Sequence, residues 1–173
     1  MTDWPTIVSR HSREVWQTAF RLLGNRDEAA DCLQEAFLEA LELSRRQRVR
    51  CWPGLLKRLC TCRALDRLRR RLRRGEVQAD PAERIAVPSR NPGPADEAQA
   101  AELAGRLRHA VAQLPPQQAA VFCLRCVEDL SYRDIAGQLD LKVSHVGVLL
   151  NRARAKVRAM LADEPSPVAE GQS

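Results

Sequence analysis

The chain has 173 residues, 45% of them hydrophobic and 29% charged, with a net charge of +6 and a pI of about 9.4. That length admits one ordinary domain or two small ones, and scarce aromatics and glycine among abundant Leu, Ala, Arg and Glu favour an all-α protein over a sheet protein. The basic balance points to a polyanion, nucleic acid before membrane; with no membrane-length apolar run and no signal-peptide core at the N-terminus, the expectation is a soluble cytoplasmic protein without membrane insertion.

The first expected helix runs from Trp4 to Leu23 and breaks at Gly24-Asn25, with Asp27 placed to cap the next. In that second helix Ala29, Leu33, Ala36, Phe37, Ala40 and Leu41 recur at helical spacing as an apolar face. Asp31, Gln34, Glu35, Leu38, Glu39 and Glu42 then face outward, an acidic strip in a basic protein. Charge pattern alone reads as a solvated helix face. A leucine exposed in the middle of it also suits a docking surface.

A third helix is expected after a Pro53-Gly54 break. Leu55, Leu59, Cys62, Leu65 and Leu68 or Leu72 fall on one side, and Arg58, Arg63, Arg67, Arg69, Arg70, Arg71, Arg73 and Arg74 cover the rest, with Asp66 the lone acid. So dense a run repels itself unless a polyanion offsets it, which favours nucleic-acid contact over a merely solvated helix. The stretch that follows, with Pro81, Pro88, Pro92, Gly93 and Pro94, argues against regular structure and reads as a flexible tether. The organisation expected is two small helical domains: 1–74, a linker over 75–97, a second block over 98–162, and a disordered tail over 163–173.

The second block opens with two helices punctuated by Pro115-Pro116; Leu107, Val111, Leu114, Val121, Phe122, Leu124 and Val127 can build its core. Ser131 and Asp134 match a capping box for a short helix from Tyr132 to about Gln138. Leu139-Asp140-Leu141 is a tight break, and another helix starts near Lys142 with a narrow apolar stripe of Val146, Leu150, Ala153 and Val157. Its opposite face holds Ser144, His145, Val148, Asn151 and Arg152. Short helix, turn and longer helix with a polar outer face is the helix-turn-helix layout, whose second helix enters the DNA major groove. Arg152, Arg154, Lys156 and Arg158 can reach phosphates.

Six cysteines include two close pairs, Cys60 with Cys62 and Cys123 with Cys126. Both pairs lie in continuous helical sequence without the Gly or Pro turns of zinc knuckles, so the preferred reading is reduced, small apolar residues and no metal or other cofactor. A redox or zinc role remains the alternative. His145 falls on the outer face, and His11 and His109 lie too far apart in sequence to suggest a ligand set.

The stretch from Leu114 to Leu161 resembles region 4 of bacterial extracytoplasmic-function (ECF) sigma factors. The resemblance is carried by Leu114-Pro115-Pro116, by Leu130-Ser131-Tyr132 with Ile135-Ala136, and by Val146 to Leu150 before Arg152-Ala153-Arg154. The stretch around Asp31, Gln34, Glu35 and Phe37 resembles the region 2 helix of that family, and the arginine-rich stretch from Cys62 to Arg74 resembles the basic helix after it. The resemblance implies a non-enzymatic factor that binds core RNA polymerase and directs it to promoter DNA. Asp31, Gln34, Glu35, Leu38 and Glu39 would dock on the polymerase clamp helices. Arg63, Asp66, Arg67, Arg70 and Arg71 would lie at the −10 element. Lys142, Ser144, His145, Val148, Asn151, Arg152, Arg154 and Lys156 would serve the −35 element, and the linker would thread along the polymerase. The family also admits an anti-sigma factor as a partner. This sequence departs from the family pattern at Lys142, where a capping Ser or Thr is frequent, at Asp140, where Gly is usual, and at Cys62, where Asn is common.

One rival is a stand-alone helix-turn-helix regulator, which leaves the acidic strip idle and lacks an obvious dimer helix. Another is a nuclease or recombinase, which needs clustered carboxylates or an activated Ser or Tyr; Tyr132 is the single tyrosine.

Overall fold

The first helix stops where a residue can turn left-handed. Gly24 sits at φ 66° and returns its N–H to the Phe20 carbonyl, closing α1 (Trp4–Leu23). The structure is a computed structural model, and it describes residues 3–75 and 94–163. Those residues form seven helices and no strand: α1, α2 (Arg26–Arg46), α3 (Trp52–Arg74), α4 (Pro94–Gln113), α5 (Pro116–Cys126), α6 (Tyr132–Leu139) and α7 (Val143–Asp163). The all-α expectation holds. The tail and most of the linker lie outside the described residues.

Three local expectations are corrected. Asn25, not Asp27, caps α2: its side chain accepts from the Glu28 N–H at 2.9 Å, while Asp27 sits in the first turn, where its charge suits the positive end of the helix. Pro53-Gly54 does not precede α3 but lies inside its first turn, where a proline's missing N–H costs nothing. Pro94, expected to oppose regular structure, is the first residue of α4 for the same reason.

α1, α2 and α3 pack as one three-helix unit around Val15, Leu23, Leu56, Leu59 and Leu65. Trp4 joins its ends, edge-on to Phe37 at 6.1 Å and to Trp52 at 5.4 Å. α4 to α7 enclose a second core of Val121, Leu124, Ile135, Val146 and Leu150.

The sequence suggests two bodies on a tether; in the structure they are packed together along α3, which touches α4, α5 and α6 as well as α1 and α2. That explains its broad buried surface, which takes in Leu56, Cys60, Thr61 and Ala64 beyond the single stripe expected, while Cys62 and Leu72 stay half-buried. Gly54 permits the closest approach: a Cβ there would stand 2.6 Å from the Gln138 amide nitrogen on α6. Polar contacts flank the apolar ones along this seam. Arg69 donates to the Leu114 carbonyl at 3.3 Å, and Arg108 donates to the Arg21 carbonyl at 3.3 Å, satisfying orphan groups at the ends of α4 and α1. Burial lowers the Arg108 pKa from its ordinary value.

Glu128 lies deepest in the seam. Its side chain is 2% exposed and sits 3.4 Å from Arg21 of α1 and 3.4 Å from Lys57 of α3. A buried carboxylate that loses a partner keeps its desolvation cost without the compensating attraction. Lys57→Met should therefore lower stability to urea by about 2–3 kcal/mol, and adding Glu128→Gln should recover part of the loss. Equal losses with and without the second change would show that the carboxylate is not the cause.

Candidate functional site

The acids of α2 and the arginines of α3 recur at the same helical interval, and the two helices run antiparallel. Acids at 31, 35 and 39 therefore meet arginines at 67 and 63 in order. Arg63 donates through Nε and Nη2 to one oxygen of Glu39, at 3.1 and 2.7 Å. Arg67 Nη2 lies 2.6 Å from Glu35 Oε1, and its Nη1 3.8 Å from Asp31 Oδ2. Glu28 and Arg71 extend the ladder by another rung, and Arg71 also donates to the Leu23 carbonyl at 2.9 Å. The Glu39 hydrogen bond raises the Arg63 pKa above its ordinary value.

Residues expected at two separate surfaces thus face one another. Asp31, Glu35 and Glu39 partner Arg63 and Arg67, whereas Gln34 and Leu38 look outward. Leu38 is 62% exposed, the most exposed large apolar side chain among the described residues. Asp66 is exposed and 3.8 Å from Arg69, and Arg70 is exposed. The sequence carried the signal for the ladder, two matched four-residue intervals of opposite charge. It did not say which helix faces would meet.

In the second unit Ser131 caps α6 as expected, its hydroxyl oxygen accepting from the Asp134 N–H at 3.1 Å. The reciprocal half differs: the Asp134 carboxylate accepts from the Ser131 hydroxyl at 2.5 Å rather than from its backbone. Asp140 makes the turn at φ 53°, in the left-handed region where glycine is the easy residue. Leu139 and Leu141 on either side pack against the core. α7 begins one residue after Lys142, whose carbonyl accepts from His145 and Val146 N–H at 2.9 and 3.1 Å.

The stripe of Val146, Leu150, Ala153 and Val157 is buried, widened by Leu149. Lys142, Ser144, His145, Val148, Asn151, Arg152, Arg154 and Lys156 are all exposed. Val143, not singled out from the sequence, is 48% exposed at the start of the helix, and Val148 further along is exposed too. Such apolar groups on a recognition helix can meet thymine methyls. Tyr132 packs over Gly147, with the Arg125 guanidinium 5.9 Å from its ring. It ties the start of α6 to α7.

The cysteines divide by burial. Cys32, Cys60 and Cys123 are buried, and Cys51 and Cys126 are exposed. Burial pushes the Cys32 thiol up to about 11 and raises Cys60 and Cys123 further. Among the described residues no group of three or more His, Cys, Asp or Glu is arranged to hold a metal ion.

Two family models match, Sigma-70 region 2 over residues 7–74 and Sigma-70, region 4 over residues 104–157. The chain is 32% identical over 170 residues to the ECF RNA polymerase sigma factor SigE of Mycolicibacterium smegmatis, covering 98% of this chain and 66% of that protein. The chain belongs to the ECF sigma factors. A second relative, the ECF RNA polymerase sigma factor SigW of Bacillus subtilis, is 27% identical over 164 residues, covering 91% of this sigma factor and 88% of SigW. The fold is shared with the sigma factor RpoE of Bartonella quintana, solved in complex with the anti-sigma factor NepR. The TM-score is 0.56 at 17% identity, over 95% of this chain and 100% of that one. Membership makes the chain a transcription-initiation factor, and the stand-alone regulator is not favoured. No helix among the described residues is long and apolar enough to cross a membrane.

Thiol reactivity should follow burial. A maleimide at neutral pH should modify Cys51 and Cys126 of the folded protein promptly, and Cys32, Cys60 and Cys123 only after denaturation. Peptide mapping reads this directly, and early labelling of Cys60 or Cys123 would contradict the packing.

Proposed function

We propose that this sigma factor docks on core RNA polymerase through Asp31, Gln34, Glu35, Leu38 and Glu39 of α2. α3 serves the −10 element through Arg63, Asp66, Arg67, Arg70 and Arg71. The −35 element is taken by α7 and the residue before it, with Lys142, Ser144, His145, Val148 and Asn151 toward the bases and Arg152, Arg154 and Lys156 toward phosphates. The observation that carries this reading is the order of the parts: a region 2 unit with an apolar residue bare in an acidic strip, then a region 4 helix-turn-helix with its outer face open.

The chemistry fits each role. A lone exposed leucine ringed by acids suits a basic, groove-bearing protein partner. Asn151 is of the type that pairs with adenine in the major groove. The protein supplies recognition and positioning in the cytoplasm, and bond formation belongs to the polymerase. By analogy with RpoE, seen with NepR, an anti-sigma factor is a further proposed partner.

Leu38→Asp should abolish binding to core polymerase in a pull-down while leaving the thermal unfolding curve in place, and Glu35→Lys should do the same. Retained binding in both would remove α2 from the interface. Arg152→Ala should weaken promoter binding by the holoenzyme at low salt and flatten its salt dependence by about one phosphate equivalent. An unchanged salt slope would take Arg152 off the DNA backbone.

A further inference from the structure

A cavity of about 290 Å³ lies in the seam between the two units, at the end of α1. Leu22 and Leu68 of the first unit and Leu107 and Phe122 of the second give it apolar walls, and its charged residues are Arg21 and Arg108. We propose that this cavity is a binding site for a small amphipathic carboxylate, with the carboxylate on Arg108 and the apolar body between the two units. The site is independent of the promoter reading above, and either can fail without the other.

Arg108 is what calls for an anion. It is half-buried, and its guanidinium lies against Gly24, where a Cβ would stand 2.9 Å from Cζ. Its Nε donates to the Arg21 carbonyl, which anchors the group at the end of α1. Among the described residues Nη1 and Nη2 have no hydrogen-bond partner, and no carboxylate pairs with the charge. The neighbouring arginines differ: Arg21 has Glu128, and Arg71 has Glu28. Burial, and then the like charge of Arg71, lower the Arg108 pKa from its ordinary value. A partly desolvated cation gains from an anion that reaches it, and two parallel N–H groups fit the two oxygens of a carboxylate.

The walls decide what the anion must carry. Leu22, Leu68 and Phe122 are buried and Leu107 is half-buried, so a fully hydrated ion would gain nothing from them. Arg21 already pairs with Glu128, which leaves one positive charge to balance and suits a monoanion better than a phosphate dianion. The volume is at the small end of ligand cavities, which fits a medium-chain or single-ring acid rather than a long-chain lipid. Junctions between domains are where such sites form preferentially. Because both units supply walls, a bound acid ties them together, and opening the seam costs its binding energy.

The test is titration calorimetry of the full chain with octanoate, against acetate, which lacks the tail, and octanol, which lacks the charge. Octanoate should bind, and each control should bind at least about tenfold more weakly. Arg108→Met should weaken octanoate by about tenfold to a hundredfold. Arg133→Met removes the same charge from an exposed position of α6 and should leave the affinity unchanged. Ala104→Phe fills the cavity while keeping the Arg108 hydrogen bond; it should abolish binding, and it serves if Arg108→Met unfolds. Octanoate should also slow maleimide modification of Cys126, whose residue lines the cavity, and spare that of Cys51, which lies elsewhere. Absence of octanoate binding, equal affinity for octanol, unchanged affinity in both Arg108→Met and Ala104→Phe, or unaltered Cys126 labelling at saturation would overturn the site.

Discussion

α3 has to satisfy more neighbours than any other helix of the described chain. It must be apolar enough to complete the cores on both sides and basic enough to leave a dense arginine surface between them. Leu55, Leu56, Leu59, Leu65 and Leu68 meet the first demand. The second is met by giving several of the arginines a job inside the protein: Arg63 and Arg67 pair with α2, Arg69 holds the end of α4, and Arg71 holds the end of α1. Self-repulsion along the helix is thereby offset by structure, without any ligand. Dense positive charge in a sequence is therefore poorer evidence for DNA contact than it first looks, because part of it is structural.

The forces in the ladder and in the seam differ in kind. Ladder pairs are partly exposed and contribute modestly each. Glu128 is almost wholly removed from water, and there the arrangement of Arg21 and Lys57 decides whether a buried charge is tolerable at all. Exposed pairs can exchange partners, whereas the buried carboxylate holds the two units in one register.

Much of this was legible in the sequence. Gly24, Pro116, Ser131 and Asp140 marked real helix ends, because caps and turns are decided by a few neighbouring backbone groups. The open face of α7 and the bare Leu38 followed from helical period alone. What escaped was what two helices must agree on. Asn25 and Asp27 are both good caps, and only the backbone path chose between them. Pro53 and Pro94 read as breaks because a proline that begins a helix looks, in one dimension, like a proline that ends one. The facing of Glu35 with Arg67 and the closing of the second unit onto α3 depend on rotation about helix axes, which charge and period leave free.

The packing of the two units along α3 sets a problem of length. Promoter elements centred near −10 and −35 are about 25 base pairs apart, about 85 Å of duplex. α3 and α7, with 23 and 21 residues, are each only about 30–35 Å long and sit in one body with α5 between them. On the proposed reading, a chain this closed cannot touch both elements at once. For it to do so the seam has to come apart: Arg69 leaves the Leu114 carbonyl, Arg108 leaves the Arg21 carbonyl, and water reaches Glu128. The carboxylate gains hydration as the units part, which offsets some of the apolar surface exposed with it.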